Sequence, residues 1–363
     1  MFPSRLVSVL GKGALENNYS LDFDGTNDYV DCGTGIGTAF GNSYDGELTV
    51  SMWIKAGVTD GDDGFFSITS HSNSNGAIYF RVKSDFIDMR TATATSKIAF
   101  TDTGVWHHVT GIFDGANNYQ YLYLDGVLVD SDEQTDDMDM DGLKTVIGSY
   151  YNTSYGFNGN VDGVAIWNKV LSAGDISALY QARGTSDLND DGNSANLQGW
   201  WRMGDGPLDS FPLIGDEVTP TLGSDVLGGK GDFSDAGYWT TGSGSTVDTS
   251  NNELDVVSET TTNFLSKTGI LTSGKLHKFT YTVSGYSSGT IRIKCASDPA
   301  TGQSITANGS YTDYILVNST DFYFQVISGT ANLNLSNLVI KQVNGNPGIM
   351  TNMAASDIVK DTP

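Results

Sequence analysis

Basic residues are scarce in this chain: 19 lysines and arginines face 43 aspartates and glutamates over 363 residues, a formal net charge of −24. Such a chain repels phosphate backbones and anionic lipid headgroups, and no run of lysine or arginine offers a local exception. Nucleic acid and membrane surfaces are therefore not expected as partners. Cysteine is scarcer still, and Cys32 and Cys295 fall in different parts of the chain, which excludes a stabilising disulfide framework. The four histidines, His71, His107, His108 and His277, lack metal-ligand spacing, and the adjacent pair would point to opposite faces of a strand, so zinc is not expected. No window approaches a membrane span. The N-terminus, MFPSRLVSVLGKG, has a short apolar stretch broken by serines in place of the longer apolar core of a secretory signal, which with the sparse cysteines points to folding in a reducing cytoplasm. Nucleophile elbows, phosphate loops and HExxH motifs are missing as well. Among 43 acidic residues chance carboxylate pairs are unavoidable, so no catalytic residue is assigned and an enzyme is not expected.

What is present is turn and strand chemistry. The 44 glycines, 17 tyrosines and 16 phenylalanines, with many Thr, Ser, Asn and Asp, read as an all-β chain with abundant tight turns. Alternating patterns recur at Leu48–Lys55, Ala77–Val82, Trp106–Phe113 and Tyr119–Val129, as sheets with one buried face require. Two distant segments, Ser20–Val30 and Gly159–Tyr180, read as opening and closing strands of one sandwich, so the opening strand is expected to pair with a late one. Ser172, with Asp175 three residues on and Ile176, Leu179 and Tyr180 at helical spacing, predicts a capped turn or short helix. The length allows two domains. We read residues 1–17 as an N-terminal arm, 18–206 as a first β-domain with a C-terminal extension, 207–227 as a linker, 228–345 as a second β-sandwich and 346–363 as a tail. Within the second, Lys278–Val283, Thr290–Lys294, Tyr314–Val317, Phe322–Ile327 and Leu333–Ile340 read as strands.

The ordered series LDFDGTNDYVDCG, LTVSMWIK, WHHVTGIFDG, YLYLDGVLV, IGSY and NGNVDGVAIWNKVLS closely resembles the laminin-G-like, concanavalin A-like jelly-roll family over Ser20–Tyr180. That resemblance implies two packed antiparallel sheets that bind sugars or proteins, often with calcium. The segment GDFSDAGYWTTGSGSTVDTSNNELDV resembles carbohydrate-binding jelly rolls of the galactose-binding-like type. GWWRMGDG and the tail GNPGIMTNMAASDIVKDTP together resemble structural proteins of tailed bacteriophages, particularly marine ones, that carry laminin-G-like domains. On that pattern the second β-domain is inserted between GWWRMGDG and TNMAASDIV, and the tail returns to the first domain or to a neighbouring subunit.

Acidic loops suit calcium, a hard cation that takes six to eight oxygen ligands. Asp24, Asp28 and Asp162 are the first candidates, where the FDGTND turn would meet the VDG turn; the alternative is that Asp24-Gly25 simply makes a tight turn. Asp187, Asn189 and Asp191, followed by Gly192, match the start of a calcium loop. Gln198 stands where a bidentate Glu would close the sphere, which favours a solvated Asx-rich turn. The acidic run Asp130–Asp141 reads as solvated. For sugar stacking, the loop residues Tyr150, Tyr151, Asn152, Tyr155 and Asn158 are the candidates in the first domain, and Tyr238, Trp239 and Tyr286 in the second; each has burial in the core as its alternative. Trp53, Trp106 and Trp167 lie in strand patterns and read as core. Trp200 and Trp201 would face opposite ways, one buried and one free for a ligand or another subunit.

Together these readings predict a non-enzymatic virion protein, a fibre, tail-associated adhesin or head decoration, assembled in the host cytoplasm. Its expected partners are other virion proteins, copies of itself as a homo-oligomer (a trimer by analogy to fibres) and a host surface glycan. A purely structural decoration, a polysaccharide-degrading enzyme and a secreted bacterial lectin stand as alternatives.

Overall fold

The computed structural model describes residues 15–69, 77–91, 94–150, 155–207, 209, 211–218, 222–260, 263–295 and 300–363. Tyr151, Asn152 and most of the expected N-terminal arm lie outside the described residues. The chain divides into two units: Met1–Thr219 with Gly345–Pro363, and Pro220–Asn344.

In the first unit the chain runs β1 (Ser20–Asp24), β2 (Tyr29–Asp31), α1 (Gly35–Phe40), β3 (Glu47–Ala56), β4 (Asp62–Thr69), β5 (Ile78–Lys83), β6 (Phe86–Thr91), β7 (Thr95–Ala99), β8 (His107–Asp114), β9 (Tyr119–Leu124), β10 (Val127–Glu133), β11 (Lys144–Ile147), β12 (Asn158–Trp167), α2 (Ala173–Ala182), β13 (Leu197–Trp201) and β14 (Leu213–Ile214). The second unit holds β15 (Leu222–Asp225), β16 (Thr240–Thr241), β17 (Ser245–Asp248), β18 (Glu253–Glu259), β19 (Leu265–Lys267), β20 (Leu276–Lys294), β21 (Gly309–Leu316) and β22 (Phe322–Val343). The chain then returns to the first unit as β23 (Gly348–Thr351) and β24 (Ile358–Val359).

Two antiparallel sheets build the first unit's jelly-roll-like sandwich. One has the order β10-β9-β8-β3-β12-β1-β24, with β13 also on β12; the other has the order β14-β23-β2-β11-β4-β5-β6-β7. The opening strand pairs with the late one, Leu21 opposite Val161 and Asp24 opposite Asn158. Alternation decides which face is inward: Val50, Met52 and Ile54 of β3 meet Phe80, Val82, Ile87 and Met89 of β5 and β6 in one core, all fully buried. Each such side chain contributes roughly 1.5–3 kcal/mol by leaving water. Gly111 sits in this core because a Cβ there would lie 2.3 Å from the Phe80 ring and 2.6 Å from the Met89 sulfur. The stretch Tyr119–Val129 is divided by Asp125 and Gly126, both at positive φ, into the hairpin β9–β10. The acidic residues of β10 have more than a solvated role: Asp130 and Asp132 accept the backbone N–H groups of Lys97 and Thr95 on the edge strand β7.

The outer face of the first sheet is covered. α2 and the chain from Leu188 to Trp200 close over Ile112, Ala165 and Trp167, making a second small core. Trp200 and Trp201 do face opposite ways, but both are buried, Trp201 between the sheets and Trp200 under this cover, so neither lies on the outer surface for another subunit. α2 begins with the expected capping box, Ser172 and Asp175 satisfying one another's backbone N–H. Ser172→Ala is expected to lower stability by about 1 kcal/mol, read as a shifted urea midpoint at unchanged slope.

The segment read as a linker is largely built into the first unit. Asp209 accepts N–H groups of Gly204, Gly206 and Gly215, and Asp216 accepts those of Trp200, Val218 and Asn346. The tail residues of β23 and β24 complete both sheets.

In the second unit four of the expected short strands fuse into two long ones, β20 and β22, whose antiparallel ladder carries register shifts between Thr280 and Ile291, and the fifth, Tyr314–Val317, lies mostly in β21. Gly285, Gly289 and Gly329, all at positive φ, lie in this irregular stretch and let the pair bend. Residues 276–283 of β20 also pair with β21, whereas Phe322–Phe324 of β22 pair with β19. A separate core, including Phe279, Tyr281, Ile291, Phe322 and Phe324, fills the unit.

Candidate functional site

The outward face of the second sheet gathers an aromatic and ionic cluster. β5 sends Ile78, Phe80 and Val82 into the core, so Tyr79, Arg81 and Lys83 point out; β6 adds Asp88 and Arg90. Register places Arg81 opposite Asp88 and Tyr79 opposite Arg90. Arg81 donates through Nε and Nη2 to the two Asp88 oxygens at 2.8 and 3.1 Å, a bidentate pair. Its Nη1 donates to Asp62 Oδ1 at 2.9 Å and to the Tyr150 hydroxyl at 3.2 Å. The Tyr150 hydroxyl in turn donates to Asp62 Oδ1 at 3.1 Å, and burial together with Asp62 pushes its pKa up.

Three tyrosines lie over this ion pair. Tyr79 and Tyr150 stack at 4.7 Å with 17° between ring planes, and Tyr155 tilts against Tyr150 at 4.9 Å. The Arg81 guanidinium carbon is 5.5 Å from the Tyr79 ring centre and 5.4 Å from that of Tyr150. Gly64 makes this possible: a Cβ there would sit 2.4 Å from the Tyr150 ring. Arg90 donates to Thr95 Oγ1 at 2.8 Å and to the Tyr79 hydroxyl at 3.2 Å, fixing the outer ring. Tyr79, Tyr150 and Tyr155 are half-buried, so each keeps part of its side chain in solvent while the hydrogen bonds and ring contacts fix its position. The sequence has no basic run, yet Arg81, Lys83, Arg90 and Lys97 come onto three adjacent strands here, with Arg81 and Lys83 paired to Asp62 and Asp88.

Other expected site residues sit elsewhere. Asn158 packs beneath the Gly25 turn, away from the tyrosines. Asp24 Oδ1 accepts Thr26 N–H and Asp28 Oδ2 accepts Asp24 N–H, so these carboxylates close their own turn. Asp162 does not join them. β1 aligns Asp24 with Asn158, four residues or about 13 Å along β12 from Asp162. Asp162 is fully buried on the first sheet's outer face and bonded to Asn17. Asp187 and Asp191 accept the N–H groups of Asn189 and Asn193 in successive Asx turns, and the Asn189 amide donates to the Glu217 carbonyl. Among the described residues, no three His, Cys, Asp or Glu side chains are placed to share a metal ion.

In the second unit Trp239 is buried against Phe233 and Phe322, a core residue rather than a stacking surface. Tyr238 is half-buried, with Lys267 Nζ 3.7 Å from its ring centre, and Tyr286 is half-buried with its hydroxyl on the Gly289 carbonyl. The three tryptophans read as core differ: Trp167 is fully buried and Trp53 nearly so, stacked on Tyr180 of α2, but Trp106 is half-buried and donates to Asp361. His107 and His108 do take opposite faces, bridged by Asp125, which accepts from the His107 ring and from His108 N–H.

Residues 24–177 match the family model described as the concanavalin A-like lectin/glucanases superfamily, in its laminin G-like branch. The match covers less than half of the 363-residue chain. The tyrosine cluster lies wholly within it. No curated protein matches the chain. Similar solved structures include a heptameric pentraxin from Limulus polyphemus, 16% identical, covering 45% of this chain and 82% of that one with a TM-score of 0.36. A second is the Ruminococcus gnavus IT-sialidase CBM40 bound to α2,3-sialyllactose, 14% identical, covering 46% of this chain and 100% of that one with a TM-score of 0.38. Domain 4 of an extracellular arabinanase from Geobacillus stearothermophilus, in complex with arabinotriose, is 16% identical, covering 39% of this chain and 68% of that one at a TM-score of 0.31.

Proposed function

We propose that the lectin-type domain binds glycans without catalysis, using Tyr79, Tyr150 and Tyr155 as a stacking platform and the surrounding Arg90, Lys83 and Asp62 as hydrogen-bonding groups. The observation that carries this reading is the stacked tyrosine pair held half-exposed over the buried Arg81–Asp88 bridge. A rigid aromatic face on a sheet loses little entropy when a sugar ring settles on it. The carboxylates beside the rings, Asp62 and Asp88, are engaged as ion-pair partners of Arg81, which leaves them poorly suited to act as an acid and base pair.

An attachment protein of a tailed-phage virion that works in several copies is the more specific reading, and it rests on the resemblance of GWWRMGDG and the C-terminal tail to such proteins. Repetition on one particle would turn weak sugar contacts into firm adhesion. A decoration protein without glycan affinity is the contrasting case, and immunogold labelling of assembled particles combined with glycan binding separates the two.

Binding is best measured on a glycan array and then by calorimetry, with calcium and again with a chelator. Tyr79→Ala and Tyr150→Ala are each expected to weaken the selected glycan about tenfold or more, equivalent to about 1.4 kcal/mol. A protein that binds no glycan, or one whose affinity ignores both substitutions while the fold stays intact, would overturn the platform.

A further inference from the structure

The outer face of the first sheet holds an open-mouthed cavity with an inner volume of about 30 Å³, beneath α2 and the chain that follows it. Trp53, Trp167 and Trp200 are among its walls, and Asp162, His108 and Arg202 line it too. Each of the last three, and Trp167, has a buried side-chain polar atom with no protein partner: Asp162 Oδ1, His108 Nδ1, Arg202 Nε and Trp167 Nε1. Buried polar atoms are nearly always hydrogen-bonded, and leaving one unmet costs more than the bond itself gains. Four around one cavity point to an occupant. The opposite ends of two of these groups are already anchored, Asp162 Oδ2 by Asn17 Nδ2 at 2.8 Å and His108 Nε2 by the Ser51 hydroxyl at 2.8 Å. The unmet atoms are therefore held in place.

We propose that this cavity is a second ligand site, which receives the hydroxyl-bearing end of a neutral polyol or sugar. Trp167 Nε1 and Arg202 Nε are donors, and Asp162 Oδ1 is an acceptor. His108 Nδ1 accepts in the tautomer that donates through Nε2. A hydroxyl group both accepts and donates, so two neighbouring hydroxyls can answer all four. An anionic ligand would meet the Asp162 carboxylate, a cation would meet Arg202 and the indole N–H, and an apolar ligand would leave every one of these atoms unmet. The indole walls suit the C–H surface beside the hydroxyls, and the inner space admits a hydroxyl-bearing end, with the rest of the ligand left outside the mouth. The site lies on a different sheet from the tyrosine platform, so either can fail without the other.

Glycerol and methyl glycosides serve as probes, followed through the indole N–H resonances of the full chain. The expected result is a saturable shift of the Trp167 resonance with a dissociation constant on the order of millimolar. Asp162→Asn is expected to weaken it about tenfold and Tyr150→Ala to leave it unchanged. Trp167→Phe removes the donor but keeps an aromatic wall, and is expected to weaken the same probe about tenfold as read by the remaining indoles. Long-lived internal waters that no probe displaces, or a shift indifferent to both cavity substitutions in folded protein, would overturn the proposal.

Discussion

Arg81→Ala is expected to destabilise the first unit by about 3–5 kcal/mol and to abolish glycan binding with it. Arg81 and Asp88 are each only 6% exposed, so removing the guanidinium leaves a buried carboxylate without its bidentate partner. Asp62 and the Tyr150 hydroxyl lose a donor in the same step. Replacing both members of the pair, Arg81→Met with Asp88→Leu, should recover much of the stability, because the cost lies in the orphaned charge rather than in the loss of attraction. Binding should stay impaired in the double variant, since the cation beneath the rings is gone. Urea midpoints of the two variants check the first claim and calorimetry the second. A loss below about 1 kcal/mol for Arg81→Ala would mean the pair behaves as a solvent-screened surface bridge.

Asp162→Asn is expected to stabilise the protein at alkaline pH and to do little in acid. Burial is the main cause that raises the Asp162 carboxyl to about 7 from an ordinary 3.8; repulsion from Asp205 adds to it, while the Asn17 and Gly163 contacts and Arg202 oppose it. The unfolded chain releases this proton near pH 4 and the folded chain holds it to about 7. Over that window the native state binds more protons, so stability falls as pH rises, and the full cost is present above pH 7. An asparagine has no such proton. Its gain should therefore grow from near zero at pH 4 to as much as about 4 kcal/mol at pH 8, seen as a widening gap in Tm. His108, in the same cavity, has the opposite sign: burial lowers its pKa to about 4, so stability drains as pH falls below 6.5, and the Asp162 variant should keep that acid limb. Parallel melting curves for variant and parent from pH 4 to 8 would show that Asp162 is already ionised or solvated.

Alternation and turn chemistry made much of the sandwich legible in the sequence. Glu47–Ala56, His107–Asp114 and the Asp125-Gly126 hairpin lie where period-two patterns and a turn dipeptide place them, and Ser172 caps α2 through the spacing that predicts it. The second unit's short segments were visible, but their fusion into β20 and β22 was not, because bulges interrupt the alternation without ending the strands. The site was half visible. Tyr150 and Tyr155 stood out as loop aromatics, whereas Tyr79, Arg81, Asp88 and Arg90 belong to ordinary strand patterns and become a cluster only through cross-strand register. Opposing turns looked like a meeting place for Asp28 and Asp162, and the register of β1 on β12 keeps them apart. The tryptophan pair misled for a related reason: alternation gives the face of a residue, not what covers that face.

The join between the two units has an evolutionary consequence. β14 and β23, one ending before residue 220 and the other beginning after residue 344, are antiparallel neighbours in the same sheet, Leu213 opposite Ile349 and Ile214 opposite Gly348. Without the intervening residues they would be the two arms of a plain hairpin. A gene can therefore lose, acquire or exchange the module between them in a single event, with the host sandwich keeping every strand it needs.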